Sequence, residues 1–136
     1  MQNKTIRITR LDMQRLQSLL DNPDLMQQRP YLQKLESELR RAEVVEPHLI
    51  PPDIVTMNST VRLLDQTSGE TLVFTLVYPD QAAIRDWKIS VLAPVGTAIL
   101  GCRVGDTIDW DVPAGRQRVT IDSILYQTEA AGEYSL

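Results

Sequence analysis

The 136-residue chain contains one cysteine, one histidine and one phenylalanine. The single thiol, Cys102, excludes an internal disulfide framework and any multi-cysteine zinc site. No apolar run approaches the roughly 20 residues that a membrane-spanning helix requires. The start, Met1 to Arg7, lacks the apolar stretch of a secretory leader, so the product is expected to stay in the cytoplasm, with no membrane partner. Cationic charge is also scarce, since 14 Lys and Arg face 18 Asp and Glu for a net charge of -4. Affinity for bare nucleic acid comes mainly from neutralising phosphates, so no direct sequence-specific nucleic-acid binding is expected. The imbalance is local. Residues 1–46 hold 8 basic and 7 acidic side chains, and residues 47–136 hold 6 and 11. The back half favours a basic protein partner.

What is present is an ordinary soluble composition, 43% apolar and 24% charged. It is enough to bury a core without covalent staples. A break falls where Glu46-Pro47-His48-Leu49-Ile50-Pro51-Pro52-Asp53 gathers three prolines, which neither continue a helix nor fit a central strand. The division expected is a helical segment over 1–46, a proline-rich linker over 47–53 and a sheet domain over 54–136.

Before the linker the pattern is helical. Thr9 is placed to cap a helix, with Asp12 three residues on to reach back or meet the helix dipole. Met13, Leu16 and Leu20 then mark one apolar stripe. The stop falls at Asp21-Asn22-Pro23. A second helix is predicted with Pro30 in its first turn, carrying Leu32, Leu35, Leu39 and Ala42 on one seam and a Glu36–Arg40 pair facing solvent. Two such helices predict a short antiparallel hairpin with arms of about 13–15 residues, each about 20 Å long. Arms that short are marginal alone and must lean on something else.

After the linker the period changes to two. Strands are predicted over 60–65 and 70–78 around the turn Gln66–Gly69, with Leu72, Phe74, Leu76 and Tyr78 on one face. A third strand spans Trp87 to Leu92. A short helix follows over 93–101, with proline near its start and glycine at its end. Residues 107–112 alternate, with Ile108, Trp110 and Val112 inward and Asp109 and Asp111 outward. A turn at Pro113-Ala114-Gly115 leads into a last strand over 117–127. The fold class is therefore α+β, with a mostly antiparallel sheet and one short helix against it.

Chemistry-bearing residues are few. His48 lies among prolines with no Ser or Cys beside it in sequence. Cys102 reads as a small packed side chain, since a reactive thiolate needs exposure and a lowered pKa. Gly96, Gly101 and Gly105 lack the spacing and the following Lys-Ser or Lys-Thr of a phosphate loop. Asp106, Asp109 and Asp111 form an acidic strand edge rather than a metal site, because successive strand residues alternate faces. Asp21 and Asp24 at the hairpin tip are the one carboxylate pair with a plausible shared-metal role, against the simpler role of helix stop and cap. No cofactor and no metal site are expected, and the chain reads as a non-enzyme.

The run Ile89-Ser90-Val91-Leu92-Ala93-Pro94-Val95-Gly96-Thr97-Ala98-Ile99-Leu100-Gly101, followed by Val104-Gly105-Asp106 and preceded by Asn58-Ser59-Thr60-Val61 and Ser68-Gly69-Glu70, resembles the C-terminal domain of the bacterial Gre transcript-cleavage factors. The short hairpin, Val55 to Ser59, Thr75-Leu76-Val77-Tyr78-Pro79 and the ending Glu129 to Tyr134 resemble one branch of that superfamily, the regulators of nucleoside diphosphate kinase. This resemblance implies an FKBP-like C-terminal domain that docks on RNA polymerase at the rim of the secondary channel. In true Gre factors a long coiled-coil arm enters the channel, and its acidic tip helps hold a catalytic magnesium ion. The short-armed branch is implied to compete with Gre factors and to influence the level of nucleoside diphosphate kinase. The piece of this chain that matches the Gre docking loop is Leu92, Ala93, Pro94 and Val95, with the helix through Leu100. Within it Ile99 is expected in the core, and Ala93 and Pro94 at the interface.

The chain departs from the cleavage factors at the arm. A hairpin of about 20 Å stops at the channel entrance. Pro23 lies between Asp21 and Asp24, and the rest of the Gre tip pattern is missing. Two other functions remain open on the residues alone. One is cleavage stimulation through Asp21 and Asp24. The other is prolyl isomerisation, which the fold alone would bring, although such pockets are lined with aromatics and these make up only 5% of the chain.

Overall fold

The computed structural model describes residues 5–112 and 115–132. Among them the elements run β1 (Arg7–Ile8), α1 (Arg10–Leu20), α2 (Pro23–Gln28), α3 (Leu32–Arg40), β2 (Glu43–Val44), β3 (Thr60–Asp65), β4 (Thr71–Val77), β5 (Lys88–Ser90), α4 (Pro94–Ile99), β6 (Thr107–Val112) and β7 (Gly115–Tyr126). Short 3-10 turns occupy Pro47–Leu49, Pro79–Gln81 and Ile84–Asp86.

Helix α1 begins as its sequence dictates. Thr9 is extended, and its Oγ1 accepts a 3.2 Å hydrogen bond from the Asp12 N–H, so one orphan donor of the first turn is satisfied. Met13, Leu16 and Leu20 are buried along one stripe. The helix stops at Asp21, but no open loop follows. Asn22 Oδ1 accepts from the Asp24 and Leu25 N–H groups at 3.1 and 3.4 Å, and Pro23 opens α2. An Asn-Pro pair that ends one helix also starts the next, because Asn is a strong cap and Pro fits the first helical position. Helix α3 starts at Leu32, two residues past Pro30, and buries Leu32, Leu35 and Leu39. Ala42 lies beyond the helix end, partly buried against the core. Glu36 and Arg40 pair at 3.0 Å on the exposed side. The two longer helices have 11 and 9 residues, hence lengths of about 16 and 13 Å, shorter than the sequence pattern implies.

Strands β1 and β2 pair in parallel, Arg7 opposite Glu43 and Ile8 opposite Val44, and so clamp the two ends of the helical segment together. Two residues per strand carry no readable period, which is why the pairing is invisible in the sequence.

The main sheet has the order β5-β4-β3-β7-β6. The β4–β5 pair is parallel and the other pairs are antiparallel. Residues 78–87 carry the chain back across the sheet through two 3-10 turns, which lets β5 run alongside β4 in the same direction. Val61, Leu63, Phe74, Leu76, Val119 and Ile121 are buried on one face. Tyr78 is buried as well, whereas Leu72 near the start of β4 is 40% exposed. Ile108 packs on the core, and Asp109 pairs with Arg118 at 2.9 Å. The turn expected at Pro113 and Ala114, and the side chains of Trp110, Asp111 and Val112, lie outside the described residues.

One core runs through the chain. Met13, Leu16, Leu20, Leu32, Leu35 and Leu39 of the helices belong to the same cluster as Val55, Met57, Val61, Leu76, Val91 and Leu100. The proline-rich stretch is fastened too. Ile50 is buried, Gln127 Nε2 donates to the Pro51 carbonyl at 2.9 Å, and Asp53 pairs with Arg103 at 3.2 Å.

Candidate protein-docking surface

The turn between β5 and α4 is built from short-range hydrogen bonds. The Ala93 N–H donates to the Ser90 carbonyl at 3.0 Å and the Thr97 N–H to the Ala93 carbonyl at 2.9 Å. The Leu92 N–H donates to Ser90 Oγ at 3.0 Å, and Thr97 Oγ1 donates to the Val91 carbonyl at 2.7 Å. Helix α4 then lies so close to the sheet that a Cβ at Gly96 would sit 2.4 Å from the Ser90 carbonyl oxygen and 3.0 Å from Leu76 Cδ1. Glycine at 96 is required by that approach, not by its dihedrals. At Gly101 both demands meet, with φ +85° and a Cβ position 2.7 Å from Ile6 Cγ1. The turn is therefore a fixed feature.

The five candidate docking residues divide. Pro94 is exposed, and Ala93 and Val95 are half-buried. Leu92 and Leu100 are buried, as is Ile99. Leu92 and Leu100, two of the residues expected to bind a partner, thus contribute side chains to the core. The surface that remains is Ala93-Pro94-Val95. It carries an extra group that the sequence does not point to. The Tyr31 hydroxyl, at the start of α3, donates to the Leu92 carbonyl.

Asp21 and Asp24 are both exposed. Asp21 is the C-terminal cap of α1, and Asp24 lies in the first turn of α2, where its charge suits the helix dipole. Among the described residues no group of three or more His, Cys, Asp or Glu is gathered closely enough to hold a metal. His48 is exposed on its 3-10 turn. Cys102 is buried, its sulfur 3.4 Å from the Ala98 carbonyl.

The polar chemistry of the molecule lies elsewhere, where the helices meet the sheet. Tyr78 donates a 2.5 Å hydrogen bond to Asp12 Oδ1, and the Arg15 guanidinium stands 5.5 Å from the centre of the Tyr78 ring. Nearby, Thr56 Oγ1 donates to Glu129 Oε1 at 2.7 Å. Burial pushes the Asp12 carboxyl up, and bonds from Tyr78 and Thr9 with the charge of Arg15 draw it back. Burial raises Glu129 as well, the Thr56 bond opposes this, and the charge of Asp12 adds to the rise. Burial and then the negative charge of Asp12 push the Tyr78 phenol upward. The sequence pattern shows Asp12 as a cap partner only, because nothing local reveals that a carboxylate in a first turn faces a distant tyrosine.

Residues 50–126 match the family described as transcription elongation factor, GreA/GreB, C-terminal, and residues 4–45 match the Rnk N-terminus. The regulator of nucleoside diphosphate kinase from Escherichia coli strain K12 is 42% identical over 137 residues, covering all of both chains. Transcription elongation factor GreA from Pelobacter propionicus is 40% identical over 96 residues, which span 71% of this chain and 61% of that protein. Among solved structures, a prokaryotic GreA/GreB transcription elongation factor from Nitrosomonas europaea superposes with a TM-score of 0.78 at 47% identity, covering 90% of this chain and 98% of the other. The transcription factor Gfh1 superposes at 0.52 with 26% identity, over 92% and 100%. This chain thus belongs to the GreA/GreB transcription elongation factor family, on the branch of the regulators of nucleoside diphosphate kinase.

Proposed function

We propose that the chain is a non-enzymatic transcription regulator that binds RNA polymerase at the entrance of the secondary channel and competes there with Gre factors, and so influences the level of nucleoside diphosphate kinase. The sheet domain, read as FKBP-like, docks through Ala93-Pro94-Val95. Helices α1 and α3, read as the antiparallel arms of a short hairpin, remain at the channel mouth.

The observation that carries this reading is the size and anchoring of the helical segment. A helix of 11 residues reaches about 16 Å, and its apolar stripe is held in the core shared with the sheet domain. Neither Asp21 nor Asp24 is extended away from the body on a long arm. The matching docking turn is kept while the reach needed for chemistry in the polymerase active centre is not. Cleavage stimulation through Asp21 and Asp24 is the weaker reading, since both lie on a helical segment packed in the shared core. Prolyl isomerisation rests on fold likeness alone.

Stalled, backtracked elongation complexes test the proposal. Gre-stimulated RNA cleavage is followed while this protein is titrated in. Loss of cleavage with rising protein, and no cleavage by the protein alone, is the expected result. Cleavage by the protein alone that Asp24→Asn removes would overturn it in favour of the second reading. No effect and no complex with core polymerase would remove the proposed partner.

A further inference from the structure

We infer that Tyr31 belongs to the polymerase-docking surface, which is then a composite of two parts of the chain: the turn Ala93-Pro94-Val95 from the sheet domain and the tyrosine ring from the helical segment. This rests on the docking reading given above and adds to it a residue of the other family region.

Tyr31 occupies the first position before α3, with helical dihedrals, and its side chain makes no capping bond there. Its hydroxyl instead donates to the carbonyl of Leu92, 61 residues away. The rest of the turn is already engaged: the Leu92 and Ala93 N–H groups go to Ser90, and the Val91 carbonyl takes Thr97 Oγ1. The Leu92 carbonyl is the group that the turn offers to the helical segment, two residues before the exposed Pro94. Tyr31 is thus held at both ends, by the helix start and by its hydroxyl, while the residue stays 39% exposed. A rigid aromatic with its polar tip satisfied and its ring partly open is a low-entropy anchor for a protein surface.

The chemistry of the surroundings selects the partner. Residues 91–101 contain no charged side chain, so the turn offers nothing to a phosphate backbone. A partly exposed tyrosine bonded to a turn that carries an exposed proline suits an apolar patch on a protein. The consequence is a coupling. The full surface exists only when the helical segment is seated on the sheet, so a partner gripping both pieces also selects the seated arrangement.

The test uses the full chain and core RNA polymerase, with hydroxyl-radical footprinting read by mass spectrometry. Tyr31 should be protected in the complex. Trp87, 56% exposed at the other end of β5, should stay reactive. Tyr31→Ala should weaken binding about tenfold or more, as loss of an interface anchor does. Tyr31→Phe, which keeps the ring, should lose only a fewfold. Thermal melts of each variant report whether the fold is retained, and where Tyr31→Ala does not fold, Tyr31→Phe and the wild-type footprint decide. An unprotected Tyr31, with Pro94→Arg abolishing binding and Tyr31 variants at wild-type affinity, overturns the composite surface and leaves the docking turn standing. Absence of any wild-type complex overturns both.

Discussion

The Tyr78 hydroxyl and the Asp12 carboxylate meet at 2.5 Å across 66 residues of sequence, and with this bond the first turn of α1 is fixed to the end of β4. Both residues are buried. Asp12 also has the Arg15 charge beside it. The pair fastens two family regions whose sequences meet only in the folded chain.

Removing the hydroxyl should cost more than the worth of one bond. Tyr78→Phe leaves a buried carboxylate short of a donor, and the expected loss is about 1–3 kcal/mol in urea denaturation. Asp12→Asn in the same background should recover part of it, because an amide carries no charge to leave uncompensated. Losses that simply add in the double variant would mean the two groups act independently.

The same cluster gives a pH dependence of definite sign. Asp12 and Glu129 bind a proton more tightly folded than unfolded, burial being the main cause. Their contribution to stability is therefore fully present below the unfolded values of 3.8 and 4.5 and is lost as pH rises through the raised folded values. The protein's denaturation midpoint, compared with that of an Asp12→Asn, Glu129→Gln variant, should fall behind as the medium moves from about pH 4 to neutrality. A gap between the two that widened in favour of the native protein toward neutral pH would contradict the assignment.

Much of this molecule is legible in its sequence. Thr9, the stripe Met13-Leu16-Leu20 and the seam Leu32-Leu35-Leu39 announce themselves because helix caps and helical periods are local. The strands over 60–65 and 107–112 do so because alternation is local too. What escapes depends on distance. β1 and β2 are too short to show a period, and β5 turns parallel only through the path of residues 78–87. Leu92 and Leu100 belong to the piece that matches the docking loop, and a motif does not tell which of its side chains pack inside. Tyr31, Asp12 and Glu129 gain their roles from residues 61 to 73 positions away, a separation that no window on the sequence spans.

Glycine substitutions should separate close approach from dihedral strain. The Cβ added by Gly96→Ala would lie 2.4 Å from the Ser90 carbonyl oxygen and 3.0 Å from Val91 Cα, both backbone, and overpacking of this kind costs about 3 kcal/mol. Gly101→Ala meets mainly the Ile6 side chain, 2.7 Å away, and must also hold a φ of +85°; a side chain yields more readily than backbone, so Gly96→Ala should be the larger loss of the two. The melting temperatures rank them. If the proposed docking through Ala93-Pro94-Val95 holds, Gly96→Ala should also weaken polymerase binding, because the carbonyl it strikes is the one that accepts from the Ala93 N–H.

A core shared between the helices and the sheet has a consequence for unfolding. Leu16 and Leu35 are fully buried in the cluster that also holds Val61, Leu76 and Ile121. Leu16→Ala or Leu35→Ala should cost about 2–5 kcal/mol. The loss should be felt by the whole chain, because helices of this length gain most of their stability from packing. Both tryptophans, Trp87 and Trp110, lie in the sheet domain, so fluorescence reads that part while circular dichroism at 222 nm is dominated by the helices. The two unfolding curves should coincide in the native protein and shift together in Leu35→Ala. Curves that part, with helical signal lost first and fluorescence unmoved by Leu35→Ala, would show that the helical segment is only loosely attached. The Tyr78–Asp12 and Tyr31–Leu92 bonds would then be too weak to hold the two regions as one body.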